Sequence, residues 1–152
     1  MLVRRTATAT VAAPREHVAA LLVRTDLETL RHWDPRVESV QTNGLPDGGV
    51  GQVVRMTARV WGQEVEIIQT VLVSELPELY MDRMEMLSDT ATTRTRLSAI
   101  DASSSRIEQS VEFDVPGWKV LTALSTALTA GPQLRKALAR FVETCEWSFR
   151  AA

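Results

Sequence analysis

The chain reads as an α+β domain in which a curved antiparallel sheet wraps a long C-terminal helix, and three observations predict it. From Gly117 to Phe149 the apolar residues Leu121, Leu124, Leu128, Leu134, Leu138, Phe141, Cys145 and Phe149 recur at steps of three and four, with Gly131 on the same face. That is the period of one amphipathic helix. The preceding sequence is built of short stretches that alternate apolar and polar residues, the period of half-buried strands. At ~1.5 Å per residue the helix runs on the order of 50 Å, so it needs a broad surface, which a sheet of about seven strands supplies.

Val3 to Val11 puts Ala7, Ala9 and Val11 on one side and Thr6, Thr8 and Thr10 on the other, as a first strand does. Pro14 and Glu16 then suit the first turn of a helix whose apolar side is Val18, Leu21 and Leu22 and which ends near Arg24. Thr25 followed by Glu28 has capping-box spacing, so a second short helix is expected through Leu27 and Leu30 to Trp33, stopped by Asp34-Pro35. A strand over Val37 to Thr42 leads into the loop residues 43–49.

Four hairpins follow, and each must set apolar residues opposite apolar ones. A Gly62-Gln63 turn pairs Val60 with Val65, Ala58 with Ile67, Met56 with Gln69 and Val54 with Val71, and matches Arg59 to Glu66 outside. A turn over Glu75–Glu78 sets Val73 opposite Tyr80, Val71 opposite Asp82 and Gln69 opposite Met84. A turn over residues 87–90 sets Met84 opposite Thr93, Asp82 opposite Thr95 and Tyr80 opposite Leu97. A loop over Asp101–Ser105 sets Leu97 opposite Gln109, Thr95 opposite Val111 and Thr93 opposite Phe113, with Arg94 facing Glu112 outside. All four agree on which face is inside. Gly131-Pro132 falls within the long helix, where a kink or short break is expected.

The 152 residues are read as one domain, 1–152, large enough for a core without disulfides or metals. The net charge of −2 and mixed charge pattern argue against a nucleic-acid partner. One cysteine and two histidines provide no zinc spacing, and Cys145 on the helix stripe reads as a buried structural thiol. No signal-length apolar run and no transmembrane span is visible, so the expectation is a cytoplasmic protein without cofactor or metal, a monomer or homodimer.

The inward face carries Gln69, Asp82, Thr93, Thr95 and Gln109 among Val71, Tyr80, Met84, Leu97, Val111 and Phe113. A buried polar group without a partner costs roughly 1–3 kcal/mol, so such a face suits a pocket better than a dry core. Trp33, Met56, Leu121, Leu124 and Leu128 complete the expected lining. Asp82 has two readings: it faces the cavity as an acid or base for a ligand hydroxyl or enol, or a bulge in Leu79–Met86 turns it out toward water, Arg83 or Arg94. The outward reading stands slightly ahead. Tyr80 is a ligand donor or a core ring, and Gln69 and Gln109 bond each other or an ordered water. His17 reads as a surface residue, and His32 as a brace for the short helix or a general base without a visible partner. Trp61 and Trp118 read as rim or packing residues, and Arg55, Arg59, Arg94 and Arg96 as a solvated outer face.

The order strand, helix, helix, six strands, long helix resembles the helix-grip fold of the Bet v 1 and START superfamily, and most of all its small bacterial polyketide cyclase/dehydrase-like and lipid-transport members. The resemblance is carried by Ala9 to Val18, by the His32-Trp33-Asp34-Pro35-Arg36-Val37 step and by the Pro116-Gly117-Trp118 entry to the last helix. It implies a cavity between sheet and helix for an apolar or aromatic small molecule and leaves catalysis open, because the fold hosts cyclases, carriers and receptors alike. Three functions are therefore carried forward in rank order. The first is binding or transport of a lipid, isoprenoid or polyketide. The second is a cofactor-independent cyclase or dehydratase using Asp82, Tyr80 or His32 as acid or base. The third is a protein-interaction module with a vestigial cavity, docking through the long helix or the Asn43–Gly51 loop.

Overall fold

The computed structural model describes residues 2–86, 89–116 and 118–152, with the side chains of residues 120–128 outside the description. Strand β1 (Leu2–Val11) is followed by helices α1 (Arg15–Leu22) and α2 (Leu27–Trp33). Six strands come next: β2 (Val37–Thr42), β3 (Val53–Val60), β4 (Gln63–Glu75), β5 (Leu79–Met86), β6 (Asp89–Asp101) and β7 (Ser104–Asp114). Helix α3 (Val120–Ala151) ends the chain. The strands form one sheet in the order β1-β7-β6-β5-β4-β3-β2, every neighbour antiparallel. This is the predicted architecture, with α3 lying chiefly over β1 and meeting α1 and α2 at its sides.

Three of the four hairpins differ from expectation by two residues. The β3–β4 turn is Trp61-Gly62, both at positive φ, so Val60 faces Gln63, Ala58 faces Val65 and Met56 faces Ile67. Two residues at positive φ make the tight hairpin turn whose twist matches the strands. At the next tight connection Met86 faces Asp89, so Asp82 pairs with Thr93 and Tyr80 with Thr95. The turn expected over residues 87–90 lies partly outside the described residues, and its Asp89 and Thr90 already belong to β6. Across β6–β7, Leu97 faces Ile107, Thr95 faces Gln109, Thr93 faces Val111 and Arg94 faces Ser110. The β4–β5 register is as expected at Val71–Asp82 and Gln69–Met84, but a bulge near Val73 pairs Val73 with Met81 instead of Tyr80. A slip of two leaves every side chain on its own face, whereas a slip of one would have turned the sheet inside out.

The helix starts differ too. Asp26, not Thr25, caps α2, its carboxylate accepting from the Thr29 amide at 3.1 Å. The Thr25 hydroxyl is engaged elsewhere, donating to Asp47 at 2.9 Å. Gly117 lies outside the described residues and α3 begins at Val120. Of the kink or break expected at Gly131-Pro132, the break does not occur: the helix runs on through both residues. Its buried stripe is Leu134, Leu138, Phe141 and Cys145; Phe149, expected on that stripe, is at the exposed margin with its ring 5.4 Å from His17.

Two apolar clusters result. The larger joins that stripe to α1 and to Ala7, Val11, Val71, Tyr80, Leu97 and Ile107. The smaller holds Leu30, Val37, Val54, Met56, Ala58 and Ile67 beneath α2. Arg140 of α3 ties the two regions together, donating to the His32 carbonyl at 2.8 Å and the Trp33 carbonyl at 2.7 Å. These are end-of-helix carbonyls with no partner within α2, and the cation also complements the helix dipole there. Trp33 stacks on Phe141 at 4.3 Å beside this clamp.

Candidate functional site

A cavity of about 220 Å³ lies at the seam of the two clusters. The larger cluster contributes Leu22, Tyr80 and Leu134 to its wall, and the smaller contributes Leu30, Val37, Met56 and Ile67. Trp33 and Ala137 close one side, and Val23, Arg24, Thr25 and Asp34 line it between the sheet and the two short helices.

Of the residues expected in the lining, Trp33, Met56, Gln69, Tyr80, Asp82, Met84, Thr93, Thr95, Gln109 and Val111 surround this space. Val71 and Leu97 do not; both are buried in the larger cluster, where the register brings Ile107 beside Leu97 and α1 packs on β6. Phe113 lies half-buried near the end of β7, away from the cavity. Leu121, Leu124 and Leu128 fall among the side chains outside the description. His32 is not in the cavity. It lines a surface groove with Asp26, Glu28 and Glu143, because the Arg140 clamp on its carbonyl fixes the end of α2 with the imidazole on the far side.

Polar groups form a band across the cavity floor. Gln69 Nε2 donates to Asp82 Oδ2 at 2.5 Å, and Gln109 Nε2 donates to the Thr95 hydroxyl at 3.3 Å, so the two amides serve separate partners and not each other. Asp82 is only 8% exposed, lies in an unbulged part of β5 and pairs with neither Arg83 nor Arg94, which corrects the outward reading. The irregularity that was expected in β5 falls in β4 instead. The second oxygen, Oδ1, is buried and takes no hydrogen bond from the described residues. Burial pushes the Asp82 carboxyl up to about 6, with the Gln69 amide and the Thr93 hydroxyl pulling the other way. Burial first, and then the Asp82 charge, hold the Tyr80 phenol above its ordinary range, so it is a neutral donor at physiological pH.

Sequence reasoning missed the α1–α2 wall. Val23 is positioned there by Gly48, whose φ of +77° and lack of a side chain let the loop pack on it; a Cβ at that point would lie 2.6 Å from Val23 Cγ1. The Gln52 carboxamide pins the same loop, accepting from the Gly48 amide at 3.0 Å and donating to Asp47 at 2.9 Å. Residues 43–51 are thus held against the body of the protein in part. Trp61 and Trp118 are 98% and 81% exposed, so neither packs in the interior. His17, expected at the surface, is half-buried, its Nε2 enclosed without a hydrogen bond from the described residues and its ring beside Phe149.

A curved seven-stranded sheet, a long C-terminal helix and a cavity between them define the helix-grip fold. Over residues 3–146 the sequence matches the family described as polyketide cyclase/dehydrase and lipid transport, and the chain belongs to that family. No curated protein matches it closely enough to count as a relative. Among solved structures, the Zhui aromatase/cyclase from Streptomyces sp. R1128 superposes with a TM-score of 0.71 at 19% identity, covering 96% of this chain and 94% of that one. Norcoclaurine synthase from Thalictrum flavum gives 0.70 at 19% identity over 95% and 93%. A START superfamily protein from Mycobacterium smegmatis gives 0.66 at 18% identity over 93% and 97%. At these identities the likeness concerns the fold. No described helix is long and apolar enough to cross a membrane.

Proposed function

We propose that this protein binds a compact, largely apolar or aromatic small molecule between its sheet and its C-terminal helix. The observation that carries the reading is the make-up of the cavity, an apolar wall interrupted by the band Gln69, Asp82, Thr95 and Gln109. A few oriented polar groups in an apolar lining are what small-molecule sites consist of. An apolar cavity of about 150 Å³ accepts benzene, so 220 Å³ suits a guest of one or two rings. The same volume is short for an extended lipid chain, which places aromatic and polyketide-type guests ahead of lipids.

A second reading, cofactor-independent acid–base catalysis on such a guest, is favoured by one observation. Asp82 titrates near 6, where a carboxyl both takes and returns protons at working pH. The structural relatives include an aromatase/cyclase and a synthase, but their reactions belong to them.

The test of binding is titration with naphthalene, followed by the rise in melting temperature that a guest selective for the folded state produces. Ala137 lines the cavity from α3, and Ala137→Phe fills it. Binding by the wild type and its loss in a folded Ala137→Phe variant is the expected result. Equal binding by both, or none by either, sinks the reading.

A further inference from the structure

We propose that Asp82 selects the guest, its free oxygen Oδ1 accepting a hydrogen bond from a hydroxyl or amine carried on an otherwise apolar ring. The inference rests on the cavity being a ligand site, and it specifies the chemistry that site requires. Gln69 Nε2 holds Oδ2 at 2.5 Å and so fixes the plane of the carboxylate. Oδ1 is buried and takes no hydrogen bond from the described residues, although the Thr93 hydroxyl stands opposite Asp82 across β5 and β6 and also favours the ionised carboxyl. An ionised carboxylate is an acceptor only, with room for about four hydrogen bonds, so what is missing here is a donor. The neighbouring polar pair is already satisfied, because the Gln109 amide serves the Thr95 hydroxyl.

Such an arrangement discriminates by omission. A guest with a donor completes the site, whereas one of the same shape without it leaves a dry carboxylate oxygen against an apolar surface, which is how sites built for a hydroxyl reject its deoxy analogue. The other ionisable groups facing the space do not compensate the charge. Arg24 is paired with Asp26 at 2.8 Å and Asp34 with Arg36 at 2.7 Å, while Tyr80 is neutral. From α3 the cavity receives the uncharged Leu134 and Ala137, and from β3, β4, β6 and β7 it receives no charged group among the described residues. Titration of Asp82 near 6 adds a sign: the acceptor is present at neutral pH and is lost on acidification.

The experiment compares 2-naphthol, naphthalene and 2-methoxynaphthalene from pH 8 to pH 5, with wild type, Asp82→Asn and Gln69→Leu. Wild type is expected to bind 2-naphthol at least about tenfold more tightly than the methoxy compound at pH 8, the worth of one hydrogen bond to a charged group. The preference falls as pH drops through about 6 and is lost in Asp82→Asn. Gln69→Leu keeps the preference but moves its midpoint to higher pH, because it removes a bond that favours the ionised carboxyl. A merely structural role for Gln69 would not move that midpoint, and it remains decisive if Asp82→Asn does not fold. A preference that persists in Asp82→Asn, or that grows on acidification, overturns the inference. Naphthalene binding without any preference for 2-naphthol overturns it while leaving the cavity reading intact; no binding by any of the three overturns both.

Discussion

Gln69 and Asp82 sit diagonally on neighbouring strands, and the amide of one donates to a single carboxylate oxygen of the other at 2.5 Å. The Gln69 amide and the Thr93 hydroxyl do not offset burial, so the carboxyl is pushed up to about 6 in the folded chain against 3.8 in its ordinary state. Between these values the folded protein holds a proton that the unfolded chain has released. Stability therefore falls as pH rises through that window, and above it the full cost is on the order of 3 kcal/mol. Urea unfolding of wild type and Asp82→Asn checks this. The wild type should lose roughly 2–3 kcal/mol relative to the variant between pH 4 and pH 7.5. A difference that does not change with pH would show that Asp82 is ordinary in the folded state. On the proposed reading a guest, and not the fold, completes the bonding of Asp82, and this cost at neutral pH is the stability given up for it.

Arg140 reaches across from α3 to the two carbonyls that end α2. Arg140→Ala should cost about 1–3 kcal/mol, because those carbonyls lose their donors in a half-buried place. Arg140→Lys should recover only part, since an ammonium cannot present the planar fork. Amide hydrogen exchange over residues 27–33 is the discriminating measurement: it should accelerate in the alanine variant well beyond the change in global stability. Unaltered exchange there would remove the clamp as an account of how α2 is held over the cavity.

Trp61 occupies the first position of a tight hairpin turn at φ +53°, followed by Gly62 at +75°. Asparagine and glycine suit that conformation better than a bulky residue, and the Trp61 ring is 98% exposed with little packing to lose. Trp61→Asn should raise stability by about 0.5–1 kcal/mol in thermal or urea unfolding, with naphthalene binding unchanged. A fall in stability would mean that the ring packs in solution.

Much of the fold was legible because the signals were redundant. Eight apolar positions marked the last helix, and alternation in four hairpins agreed on one inward face. The errors were of a kind alternation cannot detect. Moving the turn from Gly62-Gln63 to Trp61-Gly62 shifts β3 against β4 by two residues and leaves Met56 and Ile67 facing inward under either register. The band of polar residues on the floor was legible for the same reason. What was not legible was the solid part of the inner face: Val71 and Leu97 share its pattern but are buried in the larger cluster and do not line the cavity.

The linear pattern of apolar and polar residues was thus sufficient for element order and for the alternation that sets the inward positions of each strand, whereas the inward turn of the Asp82 side chain was decided by its burial in the folded chain. Those properties depend on periods of two and 3.6, which each segment carries within itself. Where the interior is hollow, which side of α2 presents His32 and which oxygen of Asp82 goes unserved depend on contacts between distant segments, such as Arg140 with His32 and Trp33. No local period encodes the height and rotation at which one packed element meets another, so the space at the seam became visible only in three dimensions.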